Sequence, residues 1–168
     1  MISYESLLMN GFLSIVFRLS KWTNGIGGFI LPVMMLITVI DVSLRIFGKP
    51  LVGTYELVAY TGALVVAFSI PFTSWARGHI YVDFFIQKLS PPFQRALNTA
   101  TRILSIALFL LAGWNLIKYA MDLARSGEVS PTLQMPFYPV VFAVGIACLI
   151  QCLVLLADIV KIFEGNYE

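Results

Sequence analysis

The sequence predicts an all-α integral membrane protein, with four transmembrane helices and further amphipathic helices lying at the bilayer surface. Two observations carry that prediction. Residues 25–47, 55–76, 103–119 and 136–157 are almost uninterrupted apolar stretches, and roughly 20 helical residues cross a hydrocarbon core about 30 Å thick. The composition agrees: 59% of the 168 residues are hydrophobic and 12% are charged, where a soluble domain carries about 25% charged residues. The chain reads as a single membrane domain, 1–168. Its formal charge of +2 is too small to suggest a nucleic-acid partner.

The elements follow in order. In residues 1–22, Ser6, Asn10, Ser14, Arg18 and Lys21 recur at helical spacing opposite Leu7, Leu8, Phe12, Ile15, Val16 and Leu19. That pattern predicts an interfacial amphipathic helix with Arg18, Lys21 and Trp22 at the lipid headgroups. No basic n-region or small-residue cleavage site opens the chain, so Met1 is expected to begin the mature protein. Gly25, Gly27 and Gly28 are expected to loosen the chain before the first membrane helix, 25–47, which carries Pro32 one turn in and ends with Asp41 and Arg45. Gly48, Lys49 and Pro50 make a turn, and Thr54 is the expected N-cap of the second helix, 55–76, with Glu56 in its first turn. Ala59, Ala63 and Ala67 form a small-residue stripe along that helix, of the kind that lets helices approach closely in lipid.

Residues 81–89 read as a short interfacial helix. Ser90, Pro91 and Pro92 open the third membrane-associated helix, 93–119. Its first turns carry Gln94, Arg95, Asn98, Thr101 and Arg102, so they are expected to be half wet, with hydrocarbon-compatible sequence only from Ile103. Ser130 with Pro131 and Met135 with Pro136 are expected to start the fourth, 133–160. Lysine and arginine are retained on the cytoplasmic side of short loops. Arg18, Lys21, Arg77, Lys88, Arg95, Arg102 and Lys161 fall on the side of both termini, whereas Arg45, Lys49, Lys118 and Arg125 fall on the other. Both termini are therefore predicted to be cytoplasmic.

Residues that carry catalysis are scarce. His79 is the only histidine, which excludes a bis-histidine haem within the chain, and it reads as an exposed loop residue. Cys148 and Cys152 share a helix face, poor geometry for a disulfide. They read as small apolar packers, with a metal pair as the alternative. The ionisable residues cluster at the ends of the apolar stretches, whereas a self-sufficient pump usually places some mid-span. Asp41 and Arg45 stand at i and i+4, the favourable order for a helical ion pair; Arg45 is equally placed to reach Glu56 or a lipid phosphate. Asp83 is read as a cap of the 81–89 helix, and Gln151 as a cross-helix hydrogen-bonding residue. No catalytic residue, cofactor or metal ligand is expected, and the chain is not expected to be an enzyme.

Three stretches then carry a family resemblance. They are Asp41, Arg45, Gly48, Lys49, Pro50 and Leu51 leading to Glu56 and Leu57; Gly78, His79, Ile80, Val82 and Asp83; and Gln134, Met135 and Pro136 followed by Pro139 and Gly145. In their order and spacing the chain resembles the small membrane subunit (DctQ-type) of tripartite ATP-independent periplasmic (TRAP) transporters. The resemblance implies a large multi-span membrane subunit that holds the solute and sodium sites, a periplasmic solute-binding protein that delivers the organic acid, and membrane lipids around them. It implies that Arg45, Pro50, Glu56, His79 and Asp83 are structural or interfacial, and that this subunit braces the large one in the inner membrane. The competing expectations are a membrane anchor for a redox enzyme, a self-contained small transporter working as a homo-oligomer, and a lipid-binding or assembly factor.

Overall fold

The computed structural model describes residues 4–76 and 91–163. They form four helices: α1 (Tyr4–Ile46), α2 (Thr54–Trp75), α3 (Pro91–Ser126) and α4 (Tyr138–Phe163). No strand occurs among the described residues beyond an isolated bridge between Val129 and Pro136. Each helix contains a stretch long and apolar enough to cross a bilayer: 11–46, 54–75, 97–126 and 138–161. Hydrocarbon offers no partner for backbone N–H and C=O groups, so helices that satisfy them internally are the structure such segments must take.

One expectation fails at the first element. The glycines at 25, 27 and 28 do not separate a surface helix, 1–22, from a membrane helix, 25–47: α1 runs unbroken for 43 residues, about 65 Å at 1.5 Å per residue. The reason is packing. A Cβ on Gly27 would stand 3.1 Å from Ser69 Oγ and 3.4 Å from the Val65 carbonyl oxygen, so this glycine is where α1 lies closest to α2. Helical cost at glycine, about 1 kcal/mol relative to alanine, is offset by the contact that only glycine permits. Val16, Ser20, Thr23 and Gly27 are all buried, one stripe at helical spacing facing the rest of the molecule. The hydroxyls of Ser20 and Thr23 donate to their own helix, to the Phe17 and Ser20 carbonyls, both at 2.9 Å, so they are buried without needing a partner across the gap. Pro32 consequently lies inside α1 rather than in a first turn.

Across the molecule the helices run in the order α1, α2, α4, α3. α1 packs along α2, α2 along α4, and α4 along α3, while α1 returns to touch α4 at one end. The four therefore make a layer rather than a closed square. The α3–α4 contact is the tightest: a Cβ on Gly113 would stand 3.2 Å from the Gly145 carbonyl oxygen, and one on Gly145 would stand 3.0 Å from Ile117 Cγ1. Small residues facing each other are how helices gain dispersion contacts in lipid.

The two ends of the layer differ. At one, Val16 of α1 packs with Val154 and Ala157 of α4, covered by Leu13 and Trp75. There Lys161 Nζ sits 3.4 Å from the Trp75 ring centroid, a cation over an aromatic face. At the other end lie the connections 47–53 and 127–137. Between the ends, side chains such as Phe29, Leu36, Leu104 and Leu111 point outward, with exposures of 61–73%. In water that would be an aggregating surface; in a bilayer it faces its own solvent.

Candidate functional site

Among the described residues the buried polar side chains form compact braces, one local and the others joining groups distant in sequence. The first is built on Asp41, which is buried near the end of α1. Its Oδ2 accepts from Arg45 Nε at 2.8 Å, and its Oδ1 accepts from the Leu51 N–H at 2.9 Å. One carboxylate thus holds both the last turn of α1 and the chain that leaves it. The Lys49 N–H donates to the Leu44 carbonyl and the Gly48 N–H to the Arg45 carbonyl, both at 3.0 Å, closing α1 in the Schellman arrangement. Pro50 follows and delivers Leu51 to Asp41. The Arg45 guanidinium lies 5.6 Å from the Tyr55 ring centroid.

Thr54 is not the N-cap. Gly53 takes that position with φ of 80° and no side-chain capping bond, and the Thr54 hydroxyl donates backward to the Leu51 carbonyl at 3.0 Å. The left-handed conformation at Gly53 is one only glycine adopts without strain. A side chain there would also collide with Leu133, so the turn is shaped to receive the connection between α3 and α4.

Glu56 makes that connection fast. Its Oε2 accepts from the Ser130 hydroxyl at 2.7 Å and from the Leu133 N–H at 2.9 Å, and its Oε1 accepts from the Thr132 N–H at 2.8 Å. Of the partners open to Arg45 in the sequence, Asp41 is the one it takes. Ser130, expected to start the fourth helix, is instead almost fully buried beneath Glu56. Its N–H donates to the Met135 carbonyl at 2.9 Å, and its hydroxyl oxygen accepts from the Met135 N–H at 3.2 Å. Gln134 turns the chain with φ of 53°, and α4 begins only at Tyr138. Tyr60 and Phe137 stack edge to face at 5.5 Å beside this latch.

A third brace joins α3 to α4 at the opposite end. Arg102 Nε donates to Asp158 Oδ2 at 2.6 Å, and Arg102 Nη1 donates to the Asn98 carbonyl at 3.2 Å. The polar pattern around Arg102 predicts a half-wet start to this helix, but Arg102 is only 6% exposed. Its face of α3 is the one packed against α4, where Asp158 stands to neutralise it. Gln151 does bond across helices, its Nε2 donating to Ser74 Oγ at 2.7 Å. Its Oε1 is buried and has no hydrogen-bond partner. Neither Ser130 nor Ser74 carries any sequence signal beyond being a serine near a helix end.

The remaining predicted residues fall elsewhere. Ala59 and Ala63 are exposed and Ala67 is buried, so the alanine stripe turns from the α2 surface into the gap between α2 and α3. Arg18, Lys21 and Trp22 form an exposed patch on α1, with Trp22 72% exposed. Cys148 and Cys152 are free thiols; Cys152 Sγ lies 3.7 Å from the Ile106 carbonyl oxygen. His79, Asp83 and the 81–89 segment lie outside the described residues.

These braces, Asp41 to Asp158, all fall inside residues 34–165, which match the family model described as tripartite ATP-independent periplasmic transporters, DctQ component. No curated protein and no solved structure matches the chain. The match spans most of the sequence and agrees with a four-helix membrane layer: the chain is a multi-pass membrane protein of the DctQ family, the small membrane subunit of TRAP transporters.

Proposed function

We propose that this subunit is a static brace in a sodium-driven TRAP transporter for organic acids, holding a large membrane subunit that carries the solute path. The observation that carries this reading is the disposition of its charges. Asp41, Arg45, Glu56, Arg102 and Asp158 are bonded to one another or to loop backbone. Ionisable residues that serve a transport path face a cavity or the interior of a bundle; here Asp41, Arg45 and Glu56 tie helix ends and loops together, and Arg102 and Asp158, which do line a space between the helices, bond each other. The family's independence of ATP leaves an ion gradient as the source of energy, and sodium is the ion the family resemblance implies.

The partners are a large multi-span subunit, a periplasmic solute-binding protein and the surrounding lipid. The location is the inner membrane with both termini cytoplasmic. Lys161 and Trp75 mark the terminal side, and the 47–53 and 127–137 connections then face the periplasm, in line with the distribution of basic residues. Arg18, Lys21 and Trp22 meet lipid headgroups. His79 and Asp83 belong to the same structural role.

The test is uptake by proteoliposomes under an inward sodium gradient. This chain, the large subunit and the binding protein together should accumulate an organic acid, and omitting any one should abolish uptake. Sodium-dependent uptake by this chain alone would overturn the proposal.

A further inference from the structure

The buried stripe of α1, Val16, Ser20, Thr23 and Gly27, has an opposite: Arg18, Trp22, Gly25 and Phe29 stand two residues out of phase and are all exposed. With Lys21 and Ile26 they wall a space of about 730 Å³ along the outside of the helix. Gly25 has none of the packing that accounts for Gly27, since a Cβ there would meet nothing within 4 Å. What it leaves is a gap between two large aromatic side chains, Trp22 and Phe29, which are 72% and 73% exposed. The cations above that gap are unusual for this chain. Arg45 has Asp41, Arg102 has Asp158, and Lys161 lies over Trp75. Arg18 and Lys21 have no ion pair among the described residues, and they stand three apart on one helix face, where like charges repel. Lys21 precedes Arg45 by 24 residues, about 36 Å along the helix, so the pair meets one boundary of a core about 30 Å thick while Arg45 meets the other.

We infer, on the reading that these residues meet lipid headgroups, that this face of α1 seats one anionic phospholipid. Its phosphate lies between Arg18 and Lys21, Trp22 stands at the level of the glycerol, and an acyl chain fills the gap at Gly25 against Ile26 and Phe29. Charge selects the headgroup: two adjacent cations with no carboxylate favour a net negative headgroup over a zwitterionic one. The apolar furrow selects a lipid over a free anion. Inorganic phosphate would neutralise the cations but leave the aromatic-walled gap unfilled, whereas a phospholipid carries an anion and a chain joined in the order the helix presents. An indole between them is at its preferred depth.

The test reads Trp22 by its fluorescence, taken as parent minus Trp22→Phe, with the chain in complex with the large subunit. The bilayer holds a minority of phosphatidylglycerol in phosphatidylcholine, with bromine, a contact quencher, on the acyl chains of one lipid or the other. Brominated phosphatidylglycerol should quench as though enriched about 25-fold over its share of the bilayer, roughly fivefold for each cation. Arg18→Gln with Lys21→Gln should return quenching to the bulk share. Gly25→Leu, for which the structure has room, should lower contact with both cations in place. Unaltered enrichment in either variant would overturn the inference. Quenching by both lipids in proportion to their bulk share would overturn it and leave the headgroup reading standing, whereas quenching by aqueous iodide and by neither lipid would defeat both. Enrichment abolished by inorganic phosphate at matched ionic strength would make a free anion the ligand and overturn the lipid assignment. Lipid quenching in the isolated chain that vanishes in the complex would make this face a seat for the large subunit, and would overturn it too.

Discussion

Glu56→Ala is the most informative single substitution at the loop end of the molecule. In the structure one carboxylate accepts three hydrogen bonds, from the Ser130 hydroxyl and the Thr132 and Leu133 amides, at 2.7–2.9 Å. Hydrogen bonds to a charged group contribute about 1.5–3 kcal/mol each, but bonds within one cluster do not add. Thr132 is exposed, so water replaces part of what its amide loses. The net expectation is a loss of about 2–4 kcal/mol in the stability of the 130–135 loop. The assay is hydrogen exchange in detergent micelles or nanodiscs, reading the Thr132 and Leu133 amides. At a factor of ten per 1.4 kcal/mol, their protection should fall by roughly 30-fold to several hundredfold.

Glu56→Gln supplies the internal control. One amide oxygen can still accept from Ser130 and Leu133, but the amide nitrogen then faces the Thr132 N–H, donor against donor. Its effect should lie between parent and alanine variant, and should be largest at Thr132. Protection within twofold of the parent in Glu56→Ala, with helical circular dichroism intact, would refute the claim that this carboxylate closes the connection.

Two further outcomes are expected. Breaking the buried pair with Arg102→Leu or Asp158→Leu should each cost about 3–5 kcal/mol, while the double replacement should be much milder, because it leaves no uncompensated charge; thermal unfolding of the three variants in detergent reads the difference, and a double variant as unstable as the singles would refute the pairing. Arg45→Glu should destabilise the turn after α1, and adding Glu56→Arg should make matters worse rather than rescue it, since Arg45 bonds Asp41 while Glu56 bonds the far loop; recovery of thermal stability in the swapped pair would show that the two residues meet.

The legible part of this chain was whatever local free energy decides. Apolar runs long enough for a bilayer named the fold class, and the i, i+4 spacing of Asp41 and Arg45 offered a helical ion pair as one of three partners for Arg45, the one the structure makes. Expectations failed where a residue had two local meanings. Gly25, Gly27 and Gly28 carry the composition of a hinge, but the same absence of a side chain lets Gly27 meet Ser69 at close range, and that contact is made by residues 42 positions away. Thr54 has the chemistry of a cap; Gly53 took the position because the incoming Leu133 leaves no space for a side chain. Arg102 was read from the polarity of its neighbours, which says nothing about which face α4 would cover.

By itself the sequence determined that the chain crosses a membrane on four helices, which ends carry its charge, and the family whose residues it shares. The tertiary structure alone decided the partners: Glu56 with a loop 74–77 residues away, Arg102 with Asp158, and Gln151 with Ser74. Hydropathy and helix formation are sums over neighbouring residues. A hydrogen bond between distant segments exists only once the packing of small residues has set the helices in their order, and no single stretch of chain holds that information.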